Sequence, residues 1–164
     1  GEISKERLLA FWEKVLAEFS GVVDPEISCD GSVQISAQPS FTLAGDFQAR
    51  RAAYLGVPID GMKGRWGVGL GGQVRWDVTQ AKVWDGQALC SGCYDTATRS
   101  GAFSLRFNDI AIAKAVGLWR PQSAAESARA ALYKGKLAGN FHIQFMNHWS
   151  ELPLQLAGLG DLRL

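Results

Sequence analysis

Between Gly64 and Phe107 apolar and polar residues alternate with a period of two, the spacing that turns one side of a strand to a core and the other to water. In Gln73 to Thr79, Val74, Trp76 and Val78 alternate with Arg75, Asp77 and Thr79. Trp66, Val68 and Leu70 repeat the pattern before it, and Phe103, Leu105 and Phe107 after it. Turn residues punctuate the runs: the glycines of Gly69 to Gly72, the hairpin dipeptide Asp85-Gly86, and Arg99-Ser100-Gly101. The chain therefore reads as a meander that is greasy on one side.

Earlier segments extend the pattern. Val33 and Ile35 share a side within 31–36; Phe41, Leu43, Gly45, Phe47 and Ala49 share one within 41–53. The run Val57-Pro58-Ile59-Asp60, which Gly61 closes, reads as an edge strand or the start of a strand. From Tyr133 onward Leu137, Gly139, Phe141, Ile143 and Phe145 alternate again, and a last run covers Leu154 to Leu164. That last run stops in mid-pattern, which predicts a segment of a longer β-rich protein.

Two regions break the period. Leu8, Phe11, Trp12, Val15, Leu16 and Phe19 recur at steps of three and four, predicting an amphipathic helix over 4–19 with Ser4 as N-cap, Ile3 and Leu8 as hydrophobic staple and Gly21 as stop. Its polar side mixes Lys5, Glu6, Glu13, Lys14 and Glu18, so docking on the sheet is favoured over lying on a membrane surface. After Asn108-Asp109 as a cap, Ile110 to Val116 predicts a short helix ended by Gly117, and the alanine-rich stretch Ser123 to Leu132 predicts another. The expected fold is mainly β: a curved antiparallel β-meander sheet with an N-terminal amphipathic helix and one or two short helices between 109 and 132. Its parts are the helix 4–19, a main sheet 31–107, a helical connection 109–132 and returning strands 134–164, all in one domain 1–164.

Composition narrows the function. A chain of 164 residues suits a single domain. Its 17 basic and 16 acidic residues nearly cancel, leaving no field to draw it onto nucleic acid. Nineteen glycines fit a turn-rich β fold. Cys90-Ser91-Gly92-Cys93 has the spacing of a redox or zinc pair, but its flanks read as strand, whereas a reactive first cysteine sits at a helix N-terminus. His142 and His148 are distant from it, so no metal or other cofactor is expected. His142 falls on the polar side of its run. Asp77, Asp85, Asp95 and Asp109 occupy strands and turns with no spacing that converges them into an acid and base pair, so an enzyme is not expected.

The block Val74 to Gly86, with Gly92, Tyr94-Asp95 and Asp109-Ile110 following it, resembles a repeat of the AsmA-like family, relatives of the TamB envelope proteins. Tyr133 to Phe141 and Leu156 to Gly160 are similar to the strands that open that family's succeeding unit. The resemblance spans 31–164. It implies a Gram-negative envelope-biogenesis protein in the periplasm, anchored in the inner membrane by a region outside this sequence, with flanking repeats of the same chain as neighbours. It further implies a groove in which phospholipid acyl chains slide between membranes, and no catalytic residues.

The apolar positions that would line such a groove are Phe41, Leu43, Phe47, Trp66, Val68, Val74, Trp76, Val78, Phe103, Leu105, Phe107, Phe141 and Ile143. Packing against a second protein layer and packing against acyl chains both reward them, at roughly 0.8 kcal/mol per buried methylene. A different class, a non-catalytic β-sandwich binding module, would present Trp84, Trp119 or Trp149 to a glycan or protein.

Overall fold

The computed structural model describes residues 5–37, 40–69, 71–119, 134–147 and 155–164. In it the alternating runs form one open, curved antiparallel sheet of ten strands with two short helices. In chain order these are α1 (Lys5–Ala17), β1 (Phe19–Val23), β2 (Glu26–Ile27), β3 (Asp30–Gln34), β4 (Ser40–Tyr54), β5 (Val57–Gly69) and β6 (Gln73–Val83). Then follow β7 (Gly86–Asp95), β8 (Ser100–Ala111), α2 (Ile112–Trp119), β9 (Lys136–Met146) and β10 (Gln155–Arg163). From β4 to β10 each strand pairs with the next, so the meander read from the sequence is the fold.

The first edge is a strand broken in three. β1 pairs with β4 at Arg51–Tyr54, β2 at Phe47 and Gln48, and β3 at Ser40–Ala44. Asp24 at φ 51° and Pro25 interrupt it, and the Ser28-Cys29 link interrupts it again. A sheet over 31–107 was expected; it begins at Phe19, because the residues after the helix find hydrogen-bond partners on β4.

Three boundaries differ from expectation, each because a distant partner outweighs a local signal. The first helix ends at Ala17, not Phe19. Phe19 enters β1 opposite Tyr54, its ring 4.9 Å from the tyrosine ring. Gly61, at φ 60°, does not close a strand but lies inside β5, which runs on to Gly69. The helix after β8 starts at Ile112 and continues past Gly117 to Trp119. Ile110 and Ala111 stay extended opposite Leu137 and Lys136, and Ile110 is only 4% exposed. Burial of that side chain wins over the cap at Asn108-Asp109. Ser4 and Ile3, and the helix expected over 123–132, lie outside the described residues.

Both tight hairpins have two central residues in left-handed conformation, Leu55 and Gly56 at φ 48° and 80°, and Trp84 and Asp85 at φ 46° and 70°. That is the type I′ pattern, whose twist matches the strands it joins. A line of irregularities also crosses the sheet. Register slips between Asp60 and Gly64 in the β5–β6 pairing, between Val78 and Lys82 in β6–β7, and between Phe107 and Ile110 in β8–β9. Each slip inserts a residue, so the inward set resumes out of step: Val78 is followed by Ala81 and Val83, and Phe107 by Ile110. Without the insertions the far ends of β6 and β8 would turn Ala81, Val83 and Ile110 to water.

The N-terminal helix is fastened where β4 ends. The Tyr54 hydroxyl donates to Glu18 Oε2 at 2.7 Å, and Leu55 N donates to the Glu18 carbonyl at 3.0 Å. Burial, and then the hydrogen bond and negative charge of Glu18, push the Tyr54 phenol well above its ordinary value near 10. A folded-state pKa raised in this way favours the fold fully below pH about 10 and loses that contribution as pH climbs beyond it. Tyr54→Phe is expected to cost about 1 kcal/mol at pH 7.5. In thermal melts the difference between the two proteins narrows from pH 10 to 11; a constant gap would show that the phenol plays no such part.

Candidate functional site

The register sorts the side chains of β4 to β10 into two faces. On one, three unbroken rows cross all seven strands. The first row is Leu43, Val68, Val74, Tyr94, Gly101, Phe145 and the register position of Leu156. Next to it run Gly45, Trp66, Trp76, Gly92, Phe103, Ile143 and Gly158. The third is Phe47, Gly64, Val78, Cys90, Leu105, Phe141 and Gly160. Phe107 lies opposite Gly139 two positions beyond, and Phe41 holds the register position two before Leu43. The residues expected to line a groove are thus brought to one face, save Phe41, whose side chain lies outside the described residues.

Glycine explains how so many rings share that face. A Cβ on Gly64 would sit 2.4 Å from Phe47 Cζ, one on Gly92 2.5 Å from Trp76 Cζ2, and one on Gly101 2.6 Å from Phe145 Cζ. On Gly139 it would lie 2.7 Å from Phe107 Cζ, and on Gly160 2.1 Å from Phe141 Cδ1. In each case the ring lies down across the bare backbone of the adjacent strand, the arrangement by which aromatics shield strand glycines. The face is paved with rings lying along the sheet. Gly45 serves a different purpose: the Ser28 carbonyl passes over it and accepts a hydrogen bond from Trp66 Nε1 at 3.1 Å.

The middle of the paving is half-buried, and burial is deep on either side of it, at the first row and again beyond the bulges at Ala49, Ala52, Ala81, Val83 and Ile110. Val68, Val74, Tyr94 and Phe145 form the buried cluster, with Trp66, Trp76 and Phe103 packed beside it and Trp12 and Val15 of α1 packed on it. The Tyr94 and Phe145 rings stack at 5.8 Å. Helix α1 covers only part of the face. Its 13 residues make a rod of roughly 20 by 10 Å, set against a sheet face of roughly 38 by 36 Å for eight strand widths. Of the described residues, Val74 is the one large side chain fully withdrawn from solvent, at 1% exposed.

Tyr94, Phe145 and Cys90 belong to this face although they were not among the residues expected to line a groove. Phe145 continues the two-residue step of Phe141 and Ile143, and Tyr94 that of Gly92, so the signal was present. Burial raises the Cys90 thiol pKa, an effect that a hydrogen bond with Trp76 opposes and the Asp77 charge reinforces. Cys93 lies opposite Arg75 and Ala102 on the other face, so the two cysteines of the pair point to opposite sides of the sheet. Cys29, Cys90 and Cys93 are free thiols.

The second face is polar. Asp46 and Arg65 approach to 3.7 Å, and Ser104 Oγ and His142 Nδ1 to 3.0 Å. The aspartates considered for catalysis are dispersed. Asp77 lies on this polar face, Asp85 meets Lys114 at 2.6 Å in the β6–β7 turn, and Asp109 meets Lys136 at 3.3 Å. Asp95 accepts backbone N–H bonds from Ala97 and Thr98 at 2.8 and 3.2 Å, closing the next turn. Among the described residues no three histidine, cysteine, aspartate or glutamate side chains cluster as a metal site would require. Trp84 is half-buried in its hairpin turn, while Trp149 and the side chain of Trp119 lie outside the described residues.

Comparison with family models, with curated proteins and with solved structures finds no match to this chain. Among the described residues no helix is long and apolar enough to cross a membrane.

Proposed function

We propose that the ring-paved face holds the acyl chains of phospholipid, and that the chain is a segment of a bacterial envelope-biogenesis protein that passes lipid between membranes. The observation that carries this reading is the unbroken apolar strip, three rows deep across seven strands, on which, among the described residues, one short helix packs. Soluble monomers seldom leave apolar surface of more than a few hundred Å² without an occupant. Rings lying across Gly64, Gly92, Gly101, Gly139 and Gly160 make a floor rather than a pocket shaped to key one ligand. An extended methylene chain gains roughly 0.8 kcal/mol per methylene wherever it rests on such a floor, so it is held without being fixed in one place. Phe47, Trp66, Trp76, Phe103, Leu105 and Phe141 supply the floor, and the headgroup stays in water beyond its rim. The work needs no cofactor and no catalytic group.

A photoreactive amino acid at position 76 or 105, irradiated with phospholipid vesicles, is expected to yield a lipid adduct by mass spectrometry. Positions 75 and 104, on the polar face, are expected to yield none. Unlabelled protein at both 76 and 105, with the probe incorporated and the sheet folded, would end the proposal.

A further inference from the structure

The two edges of the sheet are built differently. Along β4 the edge is interrupted by Asp24-Pro25 and by the Ser28-Cys29 link, devices that discourage pairing with another sheet. At the opposite edge β10 has none of them. It runs from Gln155 to Arg163 in unbroken register with β9, without proline or bulge. Leu159, Leu162 and Leu164 on and just beyond it are 84%, 55% and 93% exposed.

The glycines say what that edge fits. Inside the sheet each paved glycine has a large side chain on both neighbouring strands: Gly64 has Phe47 and Val78, Gly92 has Trp76 and Phe103, Gly101 has Tyr94 and Phe145. Gly139 likewise lies between Phe107 and Leu162. Gly158 and Gly160 have such a neighbour only on β9, Ile143 and Phe141. Among the described residues no strand pairs with their other side, which leaves two vacancies two residues apart. The same strand carries the complement, because Leu162 and Leu164 follow Gly158 and Gly160 on the same face with the same spacing.

We infer that β10 pairs with β10 of a second copy of this chain, antiparallel about a two-fold axis at Asp161. Leu162 then lies opposite Gly160 and Leu164 opposite Gly158, twice over, and Leu159 opposite Arg163. Moving the register by two residues toward the N-terminus sets Gly160 against Gly160 and leaves the vacancies half filled. The Asp161 carboxylates meet at the axis on the polar face, where like charges would repel. Arg163, whose Nε lies 3.2 Å from Asp161 Oδ2 within one copy, comes onto the diagonal of the other, so two guanidinium groups serve two carboxylates. Such a contact is isologous and closes on itself. It joins the paved faces of two molecules into one. It uses backbone pairing and stands whether or not the face carries lipid. A pairing of this length buries little area, so the dimer is weak and dependent on concentration.

Residues facing each other across an antiparallel pair have Cα atoms about 4.5–5.5 Å apart, within reach of a disulfide. With Cys29 and Cys93 changed to serine, Asp161→Cys is expected to form a covalent dimer under mild oxidation. The expected rate is about tenfold or more above that of Ala157→Cys, which lies on the same face outside the paired stretch. Sedimentation of the unaltered chain should show a dimer that grows with concentration, and Leu162→Lys with Leu164→Lys should leave a monomer of unchanged circular dichroism. A chain that stays monomeric into the hundreds of micromolar, or position 157 linking as fast as 161, would overturn the inference.

Discussion

Gly92→Val is expected to lower the melting temperature by about 10 °C, from a loss of about 3 kcal/mol. A Cβ at position 92 would sit 2.5 Å from Trp76 Cζ2, 2.8 Å from Phe103 Cβ and 2.7 Å from the Ala102 carbonyl oxygen. The indole end could swing aside, but the carbonyl belongs to the neighbouring strand and cannot move without breaking the β7–β8 ladder. Strand propensity argues the other way, since valine favours strands and glycine does not. The melt therefore separates the two effects: a valine variant as stable as the parent would mean that the rings do not lie across the backbone as described. Tryptophan fluorescence gives a second readout, because displacing Trp76 exposes it.

Phe145→Ala should cost about 3–4 kcal/mol, in the range for removing a buried aromatic side chain. Phe145 is 3% exposed, stacked on Tyr94 and tilted against Phe103 at 6.1 Å, so the change removes the piece that links β7, β8 and β9 in the buried first row. Phe141→Ala, a half-buried ring stacked on Phe107 at 5.9 Å in the open part of the face, is expected to cost clearly less. Denaturant midpoints of the two variants test the distinction. Equal losses would mean that the face is buried evenly along its length, and the acyl-chain reading would lose its open surface.

These outcomes depend on a face whose membership was legible in the residues. Alternation marked Trp66, Val68, Val74, Trp76, Val78, Phe103, Leu105, Phe107, Phe141 and Ile143 as one set, and the strand register joins them as expected. A period-two pattern is local: it fixes which side of its own strand each residue takes. It does not fix partners. That glycines stand opposite rings follows from how seven strands align, and a slip of one residue would have put the same glycines beside polar side chains. The failures at Phe19, Gly61 and Ile110 have the same origin. Each carries a helix-continuing, strand-ending or helix-starting signal worth about 1 kcal/mol or less, and each is overruled by a cross-strand partner or by burial worth more.

By itself, then, the sequence determined the class of fold, the meander order from Phe41 onward, the amphipathic first helix and the two-faced character of the sheet, because all of these follow from spacing along one strand or one helix. Tertiary structure alone decided the broken first edge, the line of bulges that keeps Ala81, Val83 and Ile110 inward, and the Tyr54–Glu18 fastening. It also decided that one 13-residue helix lies on a face several times its area. Contacts between residues far apart in the chain depend on twist, register and available partners, and none of these is written in the period of the pattern.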